Sequence, residues 1–167
     1  AIFVLNIAKK PLQNQLYIAL PDGEIGSEYI DLPGLGEVVS NYMGVMAYSN
    51  NNDGYGEYGC TDLVKRFYNI VFNIENNASV NGKDTAIQFS GEKGTYNNQP
   101  VITDYHRSGL SKIMPVNGSI ISFDGDDGAG HVAIAKKIDC SSDSECLVYL
   151  FEQNSRSSNA AKIAHSR

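Results

Sequence analysis

Cys60 lies where a loop rich in Gly, Asn and Tyr meets an amphipathic segment that begins at Thr61. The first backbone N–H groups of a helix have no partner within the helix, so this end of a helix stabilises negative charge. The thiolate is the nucleophilic form of cysteine, and a helix N-terminus favours its formation. We therefore interpret Cys60 as a nucleophile.

A cysteine nucleophile needs an imidazole within hydrogen-bonding distance, which completes its activation and later protonates the leaving amine. His131 opens the strand-like run GHVAIA, where a strand would hold the ring still and Gly130 leaves space beside it. We expect His106 to lie in a polar loop and His165 in the tail, so His131 is the best candidate. The alternative is an ordinary hydrogen-bonded histidine on a strand.

Glu152 and Asn154, in the run FEQN, are two residues apart and so share one face of a strand. Either side chain could accept a hydrogen bond from the imidazole and set its tautomer. If Cys140 and Cys146 were directly opposite each other in a hairpin, an unbroken register would put both residues on the wrong face for His131. A β-bulge or an out-of-register disulfide would remove this conflict.

The elements that must position these residues can be read from hydrophobic spacing. Apolar residues recur every three or four positions from Leu63 to Ile74, which predicts a core-facing helix ending near Asn76. The runs SIISF, GHVAIAKKI and LVYLFEQN predict a meander of antiparallel strands. A helix carrying the cysteine, packed on an antiparallel sheet carrying the histidine, is an α+β fold.

The rest of the chain is less informative. We expect residues 1–50 to form short strands and turns of the same domain, with one helix near residues 37–48. Residues 51–155 are the predicted catalytic core. Within that core we expect a short helix at residues 85–89, followed by a loop rich in Gly and Asn. Residues 156–167 are polar and predict a frayed tail or a late helix.

Composition excludes several classes of function. The chain has 167 residues, enough for one domain with a real core, and a net charge of −6. This charge opposes binding to nucleic acids and to anionic membrane surfaces, and the chain offers no basic run. It also has no apolar run near the ~18 residues that a membrane helix needs.

Three cysteines bear on the compartment. Cys140 and Cys146 bracket the polar turn SSDSE between two predicted strands, close enough for a disulfide, which leaves Cys60 as a free thiol. This pattern indicates a protein secreted or exported to the periplasm or extracellular space, and the alternative is three reduced thiols in a cytosolic protein. We expect any leader to be already removed, since AIFVLN has no basic region before it.

Four segments in order, YGCTDLVKRFY, PVNGSIISF, GHVAIA and YLFEQN, resemble the CHAP domain (cysteine, histidine-dependent amidohydrolase/peptidase) of the papain-like NlpC/P60 group. The resemblance covers roughly residues 50–155. It implies hydrolysis of amide bonds in bacterial peptidoglycan, as an N-acetylmuramoyl-L-alanine amidase or a peptide endopeptidase. It also implies that Cys60 is the nucleophile, His131 the general base, Glu152 the residue that orients His131, and Asn154 an assisting polar residue.

One position departs from the family pattern. Many CHAP domains have Gln just before the cysteine as an oxyanion-hole donor, whereas this chain has Gly59. The oxyanion would then depend on the backbone N–H of Cys60 and a second donor, for which the Tyr58 hydroxyl is a candidate. Two alternatives therefore stay open, an amidase acting on a small peptide conjugate or protein, and a non-catalytic cell-wall-binding module of the same fold.

The loop before the cysteine resembles a calcium-binding loop. Oxygen-bearing residues alternate through it and recur once on the helix, and some CHAP domains of phage lytic enzymes hold calcium here. A cation would also neutralise the carboxylate beside the nucleophile. The candidate ligands are Asn51, Asp53, Tyr55, Glu57 and Asp62, with the two middle ones acting through carbonyl oxygens. A solvated turn is the alternative, and the acidic loop at residues 124–130 is a rival site.

The remaining patterns concern ligands and partners. A zinc site built from Cys60, His106 and His131 fails because no pair has ligand-like spacing. The chemistry itself requires no cofactor. We also consider an inhibitor or immunity protein that binds the cleft as a partner. Several tyrosines could line a groove that stacks on sugar or peptide, although half-buried tyrosines are commoner: Tyr42, Tyr48, Tyr55, Tyr58 and Tyr105.

Overall fold

The computed structural model describes residues 2–7, 35–50, 58–107, 113–125, 128–142, 145–154 and 160–164. Its main helix, α1, spans Cys60–Phe72, so the cysteine lies in the first turn of a helix, as predicted. The helix ends earlier than expected because Asn73 adopts a left-handed conformation with φ 52°. The N–H groups of Asn73 and Ile74 then bond back to Asn69 and Tyr68, which closes the last turn.

Helix α1 buries its apolar face in an aromatic core. Phe67 is fully buried and stacks on Tyr42, with ring centroids 5.7 Å apart, and it also contacts Phe151 at 6.2 Å. The buried Tyr68 hydroxyl donates to the Gly118 carbonyl at 3.0 Å, and burial raises the pKa of this phenol. The helix is therefore fixed both by packing and by a buried hydrogen bond.

We expect Phe67→Ala to lower the free energy of unfolding by about 3–5 kcal/mol, because it leaves a cavity among aromatic rings. Ile70→Ala is the matched control on the same helix, since Ile70 is 60% exposed and its truncation should cost less than about 1 kcal/mol. Urea unfolding followed by circular dichroism measures both variants. Equal losses in the two would contradict the described packing of α1.

The strands form one large antiparallel sheet and one hairpin. The large sheet has seven strands in the order β4-β5-β1-β6-β7-β8-β9. In chain order these are β1 Ile2–Ile7, β4 Lys93–Tyr96, β5 Gln99–Arg107, β6 Ile120–Phe123, β7 His131–Ser142, β8 Glu145–Phe151 and β9 Ala160–Ala164. The hairpin consists of β2, Val38–Tyr42, and β3, Val45–Tyr48. Short helical turns at Gly82–Asp84 and Thr85–Gln88 (α2) precede β4.

This arrangement confirms the expected mixture of a few helices with antiparallel sheet. The predicted meander is present as β6, β7 and β8, and α2 lies where a short helix was expected. Cys140 and Cys146 form a disulfide between β7 and β8, and Cys60 is free. None of the helices in the described ranges is long and apolar enough to span a bilayer.

Three expectations were wrong. Residues 37–48 form the β2-β3 hairpin instead of a helix, because Met43 and Gly44 take positive φ values of 50° and 80° and reverse the chain. The segment expected to be a Gly- and Asn-rich loop forms the β4-β5 hairpin, turned at Asn97 and Asn98 with φ values of 50° and 60°. Part of the polar tail is β9, which pairs with β8.

A β-bulge in β7 sets the geometry of the site. Cys140 is opposite Cys146, but between Lys137 and Ala135 the register shifts by one residue, so that Ile134 is opposite Phe151. Without this shift Glu152 would be opposite Ile134, on the side that packs against α1. The bulge moves Glu152 to the face of His131, which resolves the register conflict.

Candidate active site

Cys60 is the first residue of α1 and is partly exposed. The preceding residue, Gly59, is the N-cap in an extended conformation, and its N–H donates to Asp62 Oδ2 at 3.2 Å. The carboxylate of Asp62 thus caps the helix that carries the thiol. The N–H groups of Asp62 and Leu63 bond to the Gly59 carbonyl at 3.2 Å and 3.4 Å, which begins the helical hydrogen-bond pattern.

His131 is the first residue of β7, and close backbone packing holds it in place. Gly82 lies directly against it, since a Cβ on Gly82 would come within 2.7 Å of the His131 carbonyl carbon. Gly130 has φ +65° and lies so close to the Phe123 carbonyl that a Cβ would reach 2.2 Å. The Phe123 ring stacks on the imidazole with centroids 6.2 Å apart. A side chain at Gly82 would therefore collide with His131 itself, and one at Gly130 would collide with the strand beside it.

Glu152 orients the imidazole. Its Oε2 lies 3.1 Å from His131 Nε2, and the carboxylate is only 4% exposed whereas the imidazole is 25% exposed. The second oxygen, Oε1, is buried with no hydrogen-bond partner within the described part of the chain. A buried carboxylate with one unpaired oxygen is costly, and a positive imidazolium beside it offsets this cost.

The other ring nitrogen of His131, Nδ1, is left for the thiol. Burial lowers the pKa of His131, but hydrogen bonds and charge interactions with Cys60 and Glu152 outweigh it and raise this pKa from 6.5 to about 9. The imidazole is therefore protonated at neutral pH, where a solvent-exposed histidine is mostly neutral. The arrangement supports a thiolate–imidazolium pair.

We expect NMR titration of the His131 Cε1–H signal to give a pKa of about 9 in the wild-type protein. The charged form should persist below this pH and the neutral form should appear above it. Cys60→Ala should lower the value, because it removes one of the groups that favour the imidazolium while burial still opposes it. A pKa near 6.5 in the wild type would contradict the paired geometry.

The structure chooses between the two residues that could orient the imidazole, and it also gives the surroundings of Tyr58. Glu152, not Asn154, binds His131 Nε2, and Asn154 follows it in a left-handed conformation with φ 58°. The Tyr58 ring packs against Tyr48 with centroids 5.2 Å apart, and its hydroxyl lies against Gly36. The assisting role of Asn154 and the oxyanion role of Tyr58 stay predictions.

The proposed calcium loop falls almost wholly outside the described residues, because only Asp62 of its candidate ligands is described. Asp62 also has a structural function as the cap of α1, so its place beside Cys60 does not by itself require a cation. In the described ranges there is no cluster of three or more His, Cys, Asp or Glu side chains that could hold a metal. The rival loop at 124–130 is described only in part.

Other predicted ligand-binding residues belong to the core or to other strands. Tyr42 stacks on Phe67, and Tyr105 packs against the same aromatic core, so both have structural roles. His106 lies on β5 instead of in a polar loop, and its Nε2 pairs with Asp104 at 3.2 Å.

Sequence reasoning missed Gln153, which is 1% exposed and links three elements. Its Oε1 accepts from the Tyr48 N–H at 2.9 Å and from Arg66 Nη2 at 3.0 Å. Its Nε2 donates to the Gly59 carbonyl at 3.0 Å. The signal was present, because Phe151 and Gln153 alternate with Glu152 along the strand direction and so face α1.

Comparison with models of known protein families gives no match, and comparison with curated proteins gives none either.

Proposed function

We propose that this protein is a thiol-dependent hydrolase of the CHAP type, in the papain-like NlpC/P60 group, which cleaves amide bonds in bacterial peptidoglycan. The observation that carries the proposal is the position of the His131 ring between Cys60 and Glu152, with Nε2 held 3.1 Å from the carboxylate. The same assignment is supported by the cysteine at a helix N-terminus and by an antiparallel sheet in which His131 opens β7 and Glu152 directly follows β8.

The proposed reaction starts from a thiolate on Cys60 and an imidazolium on His131. Sγ attacks the amide carbonyl carbon, a C–S bond forms, and the oxygen becomes an oxyanion that the Cys60 backbone N–H stabilises. As the C–N bond breaks, His131 Nδ1 transfers its proton to the leaving amine. Glu152 keeps the ring oriented through Nε2.

Deacylation uses the same groups in reverse. The now neutral His131 takes a proton from water, and the resulting hydroxide attacks the thioester carbon. The C–S bond breaks, a carboxylic acid leaves, and the thiolate–imidazolium pair is restored. One water is consumed for each amide bond cleaved.

The substrate class rests on the resemblance of the four sequence segments, and the disulfide supports an exported protein because such bonds persist in oxidising compartments. The proposed activity is that of an N-acetylmuramoyl-L-alanine amidase or of an endopeptidase that cleaves the wall peptides. A calcium ion held through Asn51, Asp53, Tyr55, Glu57 and Asp62 is a further part of the proposal. An inhibitor or immunity protein that covers Cys60 is the proposed protein partner.

The test is release of new amino groups from purified peptidoglycan, run beside a panel of small peptide amides. We expect release from peptidoglycan and little from the small amides, and mass spectrometry of the fragments would identify the bond. Protein alkylated at Cys60 with iodoacetamide is the control and should be inactive. Release that survives complete alkylation would rule out a thiol mechanism, and preference for small amides would rule out the wall as substrate.

A further inference from the structure

Gln153 is buried at the junction of three elements, and its orientation follows from its neighbours. The Tyr48 N–H and the Arg66 guanidinium can only donate, so the side-chain atom that meets both must be the oxygen. The amide nitrogen must then face the Gly59 carbonyl, which can only accept. The three hydrogen bonds are therefore consistent with a single orientation of the side-chain amide.

The Gly59 carbonyl belongs to the same peptide unit as the Cys60 N–H. In a planar trans peptide these two groups point in opposite directions, so fixing one fixes the other. Bonds to this carbonyl from the N–H groups of Asp62 and Leu63 are long, at 3.2 Å and 3.4 Å, whereas Gln153 Nε2 lies at 3.0 Å. Gln153 therefore makes the shortest of these three bonds to the peptide that carries the oxyanion donor.

A hydrogen bond to a carbonyl polarises its peptide and strengthens the N–H as a donor. The Cys60 N–H is the first of the helix and has no acceptor within it, so it can donate to a developing oxyanion. Many CHAP domains have Gln directly before the cysteine, whereas this chain has Gly59, which has no side chain to donate to the oxyanion. The backbone N–H of Cys60 is therefore the more important donor.

We propose that Gln153 is a positioning residue that orients and polarises the Gly59–Cys60 peptide, so that the Cys60 backbone N–H acts as the oxyanion donor. The role rests on the proposed function of Cys60 as nucleophile. It does not depend on the identity of the substrate, since every acyl transfer to this thiol passes through an oxyanion.

Two reagents separate this role from a purely structural one. Iodoacetamide alkylates the thiolate by displacement at a saturated carbon and forms no oxyanion, whereas p-nitrophenyl acetate acylates it through a tetrahedral oxyanion. Gln153→Glu keeps an acceptor for Tyr48 and Arg66 but replaces the donor that faces Gly59 with an oxygen. We expect acylation of Cys60 to fall about tenfold relative to alkylation, which should change less than about twofold.

Arg66→Met is the matched control. It removes another hydrogen bond to Gln153, at 3.0 Å, but leaves the bond from Gln153 to Gly59 in place. Its ratio of acylation to alkylation should equal that of the wild type, even where its stability is lower. If the buried carboxylate of Gln153→Glu prevents folding, Gln153→Met serves as the second variant, because it also lacks the donor to Gly59 but adds no charge.

An unchanged ratio in a folded Gln153 variant would overturn the proposal, and so would an equal fall in Arg66→Met. Failure of both Gln153 variants to fold would assign Gln153 to stability alone and would also overturn it. Because neither reagent resembles peptidoglycan, a fall in the ratio in a protein inactive on peptidoglycan would reject only the proposed substrate. A wild-type Cys60 that reacts with neither reagent would reject the nucleophile itself.

Discussion

Cys60→Ala and His131→Ala should each reduce the release of amino groups from peptidoglycan by roughly 10³- to 10⁶-fold. The first variant removes the atom that forms the covalent bond. The second removes the group that stabilises the thiolate and protonates the leaving amine. Because both act in one unit, the double variant should be no less active than the worse single variant.

The chain supplies a matched control for the histidine. His106 also pairs with a carboxylate, Asp104, at 3.2 Å, close to the 3.1 Å between His131 and Glu152. His106→Ala should therefore keep wild-type activity. Full activity in Cys60→Ala would end the hydrolase proposal, and equal losses in the two histidine variants would show that the assay reports folding.

Glu152→Gln should lower kcat/KM by roughly 10²- to 10⁴-fold while the fold is kept. The change preserves the size of the side chain but removes the negative charge beside Nε2, 3.1 Å away. An amide can also present its nitrogen or its oxygen to the ring, so the tautomer is no longer fixed.

Glu152→Gln should also change how activity depends on pH. Glu152 is one of the groups that raise the pKa of His131 to about 9, while burial lowers it. In Glu152→Gln the pKa of His131 should fall, because burial still lowers it and one of the groups that raise it is gone. The imidazolium then loses its proton at a lower pH. The alkaline fall in kcat should therefore move from about pH 9 towards neutrality.

Asp104→Asn is the control for this variant, because it changes the carboxylate partner of the other strand histidine. It should leave both the rate and the pH profile unchanged. An alkaline limb that stays in place in Glu152→Gln would show that Glu152 does not act through His131. Asn154 would then become the better candidate for orienting the ring.

The residue types and local spacing were sufficient to predict the helix that begins at Cys60, the meander of β6 to β8 and the disulfide. These features depend on contacts between residues close in sequence. The helical stripe repeats every three to four residues, and the hairpin between β7 and β8 needs only a short polar turn. His131 and Glu152 were predicted because one opens β7 and the other directly follows β8.

Local patterns failed where turns depend on backbone conformation. The sequence of the β2-β3 hairpin was interpreted as a helix because its apolar residues are closely spaced. In the structure Met43 and Gly44 reverse the chain with positive φ values. Similarly, Asn97 and Asn98 turn a segment that resembles a loop into the β4-β5 hairpin. Strand β9 pairs with β8, and the polarity of its neighbours conceals this pairing.

The sequence by itself determined which side chains could perform thiol chemistry and which elements would carry them. Only the tertiary structure decided that Glu152 meets His131, because a single bulged residue in β7 chooses the face on which Glu152 lies. It also decided that Gln153 meets Gly59, across 94 positions in the chain. Neither contact follows from local spacing, since strand register and long-range hydrogen bonds are set by packing between distant segments.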